Sequence, residues 1–298
     1  MITAEGNRMV TAKDVAALRA RTGAGMGDCK KALDETGGDI EKAIDLLRTK
    51  GMLKAEKRAG RSASEGQVIT WLSDDKTLGV VIELNSETDF VSRNEEFVAV
   101  AKLVAAHVAA DTTLEGAADI GADHALLNKQ WSHDKSQTLG QVVKATAAKT
   151  GENVSLRRVA RFTTTGTLGA YRHFNGKLGV LVEITNARGE SAETLAYSVA
   201  EHLAAGVPTV AVSVRKEEVP ADLVAREKAI YVAQAKESGK PDAIVEKMVA
   251  GRLDKYYKEI TLLEQPWVRD DGKSIGQLVK ETAGADVGRF VRFQMGDE

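Results

Sequence analysis

Leu78-Gly79-Val80-Val81-Ile82-Glu83-Leu84 is almost unbroken in aliphatic and β-branched residues, and it returns later in the chain as Leu178-Gly179-Val180-Leu181-Val182-Glu183-Ile184. Such a run reads as a strand buried on both faces for most of its length, with Asn85 and Ser86 ending the first copy. Residues 65–72 precede the first copy as another strand, and residues 166–174 precede the second. Each central strand leads to an alanine-rich helix bearing a histidine, Val104-Ala105-Ala106-His107 in one case and Val199-Ala200-Glu201-His202 in the other. Further on, Leu139-Gly140-Gln141-Val142-Val143-Lys144-Ala145-Thr146-Ala147 recurs as Ile275-Gly276-Gln277-Leu278-Val279-Lys280-Glu281-Thr282-Ala283, and each leads into a strand, 156–162 and 288–293. The chain therefore holds one unit twice, a hairpin, a helix, a second helix and a returning strand, which is an α+β layer architecture.

Outward from this duplication, the N-terminal region signals short helices. Thr11 caps the first, with Asp14 three residues on, and Val15, Leu18 and Arg21 follow before Thr22-Gly23 stops it. A second spans about 28–36 and ends at Gly37-Gly38. Asp39 caps a third, which carries Ile40, Ala43, Ile44, Leu46 and Leu47 on one stripe up to Gly51. The expected organisation is a helical bundle over 1–56, a polar and basic linker over 57–64, a first core copy over 65–163, and a second over 164–218 and 263–298. Residues 219–262 interrupt the second copy as a helical hairpin turning at Gly239-Lys240-Pro241. Pro220 suits its first helical position; Leu223, Val224, Ile230 and Val232 form one apolar side, and Ile244, Val245, Met248, Val249 and Leu253 the other. That hairpin either packs on its own core or offers a partner or oligomer surface.

Composition narrows the function classes. The 298 residues are 43% hydrophobic and 5% aromatic, enough for about two domains that each bury a core. Lys+Arg 41 against Asp+Glu 43 gives a net charge of -2, which argues against a nucleic-acid binder relying on a basic field and favours protein partners. The single cysteine, Cys29, excludes an intrachain disulfide and a multi-cysteine zinc site, and it reads as a small buried apolar residue of a cytoplasmic protein. No apolar run approaches the roughly 20 residues that span a bilayer, and the first residues lack the hydrophobic stretch of a signal peptide.

No catalytic constellation emerges. His107, His124, His133, His173 and His202 show no metal-ligand spacing, and no serine or cysteine nucleophile motif is present. His107 and His202 occupy equivalent helix positions and read as structural. Gly23-Ala24-Gly25-Met26-Gly27 lacks the strand that a phosphate-cradling loop needs before it. Gly272-Lys273-Ser274 has Trp267, not glycine, five positions earlier. Asp89 as a general base or magnesium ligand would stand without supporting groups.

Two stretches remain that packing does not account for. Thr88-Asp89-Phe90-Val91 follows the first central strand at a strand-to-helix turn or in a short helical turn of its own, before the helical spacing that begins at Asn94. An aromatic there is ordinarily a core residue. The second copy, however, leads into Asn186-Ala187-Arg188-Gly189-Glu190 with no apolar equivalent, so Phe90 reads as a contact for another molecule. Met26, in its glycine-rich turn, reads likewise as a flexible apolar contact.

Thr88-Asp89-Phe90-Val91, with Thr22-Gly23-Ala24-Gly25-Met26-Gly27-Asp28-Cys29-Lys30-Lys31-Ala32-Leu33, resembles the bacterial elongation factor Ts family, and the resemblance covers nearly all of the chain. It implies a bundle of ubiquitin-associated type, no active site, and neither a cofactor nor a metal. It implies a guanine-nucleotide exchange factor of translation elongation that binds elongation factor Tu with GDP, passes through a nucleotide-free intermediate and lets GTP load. Thr88, Asp89, Phe90 and Val91 would correspond to the stretch that dislodges the partner's magnesium, and Arg19, Gly25, Met26 and Gly27 to a second contact. No direct nucleic acid and no membrane are implied, the location is cytoplasmic, and a homodimer or a two-to-two complex with elongation factor Tu is allowed. Family members often continue into a helix beyond the last core strand, so that contact is expected to be missing here. The rival reading is an adaptor that binds partners through the bundle and uses the core as a passive scaffold; an α+β enzyme ranks below it.

Overall fold

The computed structural model describes residues 9–237 and 241–297; Gly239 and Lys240 of the expected hairpin turn lie outside the described residues. Three helices come first: α1 (Ala12–Thr22), α2 (Met26–Glu35) and α3 (Ile40–Glu56). The Thr11 hydroxyl accepts the Asp14 N–H, and the Asp14 carboxylate accepts the Thr11 N–H at 3.0 Å, the reciprocal cap that the spacing predicts. Val15, Leu18, Cys29, Ala32, Leu33 and Ala43 form the bundle's own core. Two expectations are corrected here. Met26 opens α2 instead of lying in the loop, with Gly25 as its N-cap. Gly51 does not stop α3: a Cβ built there would lie 2.9 Å from Ala148 Cβ, so this glycine serves the close approach of two helices.

The first copy comprises β1 (Glu65–Leu72), β2 (Leu78–Ser86), α4 (Asp89–Ser92), α5 (Glu95–Ala110), β3 (Gly116–Asp119), α6 (Leu139–Thr150) and β4 (Ser155–Thr163), with sheet order β1-β2-β4-β3. In the second, β5 (Thr167–Arg172) and β6 (Leu178–Thr185) precede α7 (Glu190–Ala205). The helical hairpin α8 (Ala221–Glu237) and α9 (Asp242–Ile260) then interrupts the unit. The small ribbon β7 (Pro266–Trp267) with β8 (Asp270–Ser274), the short α10 (Ile275–Lys280) and β9 (Asp286–Gln294) complete it. Its sheet order is β5-β6-β9, and every pairing in both sheets is antiparallel.

The central strands are apolar throughout because their two faces meet different neighbours. Val80, Ile82 and Leu84 pack under Phe97, Ala101, Val104 and Val108 of α5. Val81, on the opposite face, joins Val68, Ala160 and Phe162 against Leu168, Leu181 and Phe293 of the other sheet. The order of layers is helices, sheet, sheet, helices. Each large side chain so buried contributes about 1.5–3 kcal/mol. The sheets meet closely at the repeated glycines: a Cβ on Gly79 would lie 2.6 Å from Leu181, and one on Gly179 would lie 2.6 Å from Val68. The duplication extends to details that no packing contact requires to match. Both central strands shift register at the same step, Glu83/Leu84 and Glu183/Ile184, and α6 and α10 both start in a capping box, Thr138 with Gln141 and Ser274 with Gln277.

A crossed pair of arginines closes the joint. Arg158 Nε donates to Glu83 at 2.6 Å and its Nη2 to the Gln294 carbonyl at 2.8 Å, while its guanidinium lies over Phe293. Arg289 Nε donates to Glu183 at 2.7 Å and its Nη2 to the Thr163 carbonyl at 3.0 Å, over Phe162. Each arginine pairs with the glutamate of its own copy and stacks on the aromatic ring of the other.

Several boundaries differ from expectation. β2 runs on through Asn85 and Ser86, because both pair with β1. β5 ends at Arg172, and Phe174 lies fully out in the turn. The four residues of β3 carry no strand signal, yet they pair with the edge of β4. Leu262, the expected end of the insertion, is wholly buried in the second copy's core. Ala235, Val245 and Val249 form the hairpin's own apolar seam, whereas Ile230 and Ile244, expected on its apolar sides, are exposed. Pro220 precedes the first turn of α8, and its carbonyl accepts the Val224 N–H.

Candidate functional site

The turn after β2 is built from its polar residues. Thr88, in extended conformation, caps α4, and its hydroxyl accepts the Val91 N–H at 3.4 Å. The same hydroxyl donates to Glu152 Oε1 at 2.6 Å. Glu152 Oε2 accepts the Glu87 and Thr88 N–H groups at 3.1 and 3.0 Å, so one carboxylate from beyond α6 satisfies three donors. Glu87 replies by accepting the Asn153 N–H at 2.6 Å. At the other end of α4, Gln67 Nε2 donates to the Ser92 carbonyl at 2.7 Å, and Gln67 Oε1 accepts from Arg172 Nη2 at 2.5 Å. Val91 packs on the first copy's core and Ser92 is buried, which leaves Phe90 pointing outward, 85% exposed. Asp89 is partly exposed and pairs with Arg93 at 3.1 Å, a surface ion pair of small energetic weight.

The expected second set lies apart, on the bundle. Arg19 is exposed near the end of α1, and its carbonyl accepts the Gly23 N–H. Gly25 and Gly27 flank Met26 in the exposed first turn of α2, with Met26 59% exposed. Cys29 is buried behind it and donates its thiol to the Ala24 carbonyl at 3.6 Å. Thus Thr88, Asp89, Phe90 and Val91 share one turn, and Arg19, Gly25, Met26 and Gly27 form a separate patch. The linker is tied to the Phe90 turn: Asn153 Nδ2 donates to the Arg61 carbonyl at 2.7 Å, and Arg61 reaches Glu87 at 3.5 Å.

Sequence reading missed Gln67 and Glu152, which lie about 25 and 65 residues from the turn and match no short-range pattern. It also missed the display of Phe174, 90% exposed and stacked beside His173 with ring centroids 4.4 Å apart. The histidines of the two copies do equivalent jobs. His107 Nδ1 accepts the Ser132 N–H and His202 Nδ1 accepts the Val268 N–H, both at 3.2 Å, while His202 Nε2 meets Gln265 Oε1 at 2.9 Å. Burial holds both imidazoles below their usual pKa, which keeps these acceptors unprotonated. Among the described residues, no group of three or more His, Cys, Asp or Glu could hold a metal ion, and no helix is long and apolar enough to cross a membrane.

Residues 87–297 match the family described as elongation factor TS, a match that begins at the Phe90 turn. The chain is similar to the elongation factor Ts of Thioalkalivibrio sulfidiphilus (strain HL-EbGR7), with 47% identity over 291 residues, 97% of this chain and 92% of the relative. It is similar to that of Clostridium botulinum (strain Alaska E43 / Type E3), 44% identical over 298 residues covering 97% and 94% of the two chains. It is also similar to that of Aquifex aeolicus (strain VF5), 40% identical over 289 residues covering 96% and 98%.

Proposed function

The chain belongs to the elongation factor Ts family of translation elongation factors, and from that membership we propose that it is a guanine-nucleotide exchange factor. It binds elongation factor Tu carrying GDP in the cytoplasm, promotes GDP release and leaves a nucleotide-free complex that GTP resolves. It performs no covalent chemistry of its own. The Phe90 turn presses into the partner's nucleotide domain and dislodges its magnesium, the Met26 patch makes a second contact there, and the second core copy meets another domain of the partner.

The observation that carries this reading is Phe90, a large apolar ring 85% exposed on a turn that four hydrogen bonds from the Glu152 and Gln67 side chains help to hold in place. Free energy is otherwise lost by leaving such a ring in water, and an anchor of this kind dominates binding when a partner pocket covers it. Exchange then follows from linkage: the nucleotide and this protein weaken each other's binding by one shared coupling free energy. A hundredfold faster release at unchanged association requires roughly 3 kcal/mol of it. The test is fluorescent-GDP release from elongation factor Tu with this protein at substoichiometric amounts. Catalytic acceleration is expected; tight binding with release at the intrinsic rate would leave an adaptor instead.

A further inference from the structure

A helical turn of four residues does not stand by itself, because nucleating one fixes several dihedral angles for a single backbone hydrogen bond. In α4, moreover, the largest side chain contributes nothing to holding the turn, since Phe90 faces solvent. Beyond the Thr88 cap and the packing of Val91, what holds it comes from elsewhere. Glu152 grips the N-terminal side through Glu87 N–H, Thr88 N–H and the Thr88 hydroxyl. Gln67, only 5% exposed, grips the C-terminal side through the Ser92 carbonyl, and it is itself fixed by Arg172 of the second copy, whose Nε donates to the Val68 carbonyl at 2.7 Å.

The duplication supplies a comparison within the molecule. Gln67 pairs with Leu84 across β1 and β2, and Thr167 pairs with Ile184 across β5 and β6, so the second copy has a threonine where the first has the bridging glutamine. Between α10 and β9 the second copy runs Glu281-Thr282-Ala283-Gly284-Ala285; its one carboxylate there, Glu281, pairs with Lys273 and grips no turn as Glu152 does. The carboxylate grip and the glutamine bridge are both present in the copy that displays an aromatic; the other copy has neither, and its turn is held instead by the short Thr167 hydroxyl, which donates to the Ala187 carbonyl at 2.9 Å. If they served the unit's fold, both copies would be expected to have them.

We propose that Glu152 and Gln67 are positioning residues for exchange: they act through Phe90 by fixing the direction in which its ring leaves the surface. This rests on the reading of Phe90 as the working contact. In the nucleotide-release step the ring must enter a partner site of fixed shape, and a misplacement of about 1 Å is enough to lower a rate about a hundredfold. Braces of this kind therefore change the maximal rate more than the concentration needed for half of it, because the remainder of the interface still binds.

The experiment is a double-mutant cycle on GDP release from elongation factor Tu, with rates followed to saturation for the parent, Phe90→Ala, Glu152→Ala and the combination. Glu152→Ala is expected to lower the maximal rate about 10-fold to 100-fold, with the half-saturating concentration within about threefold of the parent. Added to Phe90→Ala, it should change the rate by less than about twofold, since a brace has nothing to aim once the ring is gone. Glu152→Gln, whose amide oxygen can still accept both N–H groups, should stay within about threefold of the parent. Gln67→Ala is read through the same cycle, and it decides the matter if Glu152→Ala fails to fold by circular dichroism. Independent, additive losses would overturn the proposal, as would parental rates in Glu152→Ala and Gln67→Ala beside a slow Phe90→Ala. A parental rate in Phe90→Ala would instead remove the reading of Phe90, and the braces would fall with it.

Discussion

At the end of β2 the chain forms a braced helical turn that carries an aromatic ring into solvent. At the matching end of β6 it turns through Asn186 at φ 60 and enters α7 past Gly189 at φ 87, with no aromatic displayed. The strands leading in have the same sequence pattern, the same bulge and the same glycine against the opposite sheet. The unit therefore folds with either turn, and what distinguishes the first turn is directed away from the core.

The largest expected effect sets two phenylalanines of the first copy against each other. Phe97, 1% exposed under β2, should cost about 3–5 kcal/mol of stability when truncated to alanine, through lost burial and a cavity. Phe90→Ala should alter stability by no more than about 0.5 kcal/mol, yet slow stimulated GDP release about 30-fold to 1000-fold. Thermal melts and release kinetics on both variants read this contrast. It breaks if Phe90→Ala melts as low as Phe97→Ala while still-folded protein exchanges at the parental rate.

A smaller effect is expected from making the second copy more like the first. Removing residues 221–258 and closing the gap with a short glycine-serine linker leaves Leu262 and the second copy's core in place, so unfolding should remain one cooperative transition. Only affinity or self-association should change. Loss of cooperativity in a denaturant titration would show that the hairpin belongs to the core.

The smallest effect should be shared by both copies. His107 and His202 are held neutral in the folded state, with pKa values below the usual 6.5, whereas the unfolded chain takes up protons there. Depressed pKa values mean that this stability is fully present above about pH 6.5 and is lost as pH falls through the folded values. Melting temperatures at pH 7.5 and pH 5.5 should differ in that direction, and the gap should narrow in His202→Asn and in His107→Asn. An unchanged gap in either variant would separate the two copies energetically.

Much of this architecture is legible in the order of residues alone. The caps at Thr11 and Asp39 and the central strands obey local rules, and the repeat itself exposes the odd turn at Phe90. What is not legible depends on contacts between distant residues. Gly51 looks like a helix stop until Ala148 is placed against it, and Met26 looks like loop because two glycines surround it. The residues of β3, Gly116-Ala117-Ala118-Asp119, have no strand propensity and become a strand only because β4 offers them an open edge. Glu152 and Gln67 are ordinary polar residues in sequence, and only the fold brings them to either end of one turn.

The crossed arginines and the shared sheet interface have a consequence for how this molecule is made. Phe162 is covered by Arg289, and Phe293 by Arg158, so neither copy's inner face is finished until the last strand exists. Synthesis runs from the N-terminus at roughly 5–20 residues per second, and the chain from Phe162 to Phe293 is about 130 residues, so the joint waits on the order of ten seconds for its last strand. Leu168 and Leu181 follow within about 20 residues to meet Val68 and Val81, but until β9 is made Phe162 lacks its Arg289 cover and Phe293 is absent from the joint. A translation factor thus spends much of its own synthesis with the joint between its two sheets lacking one strand.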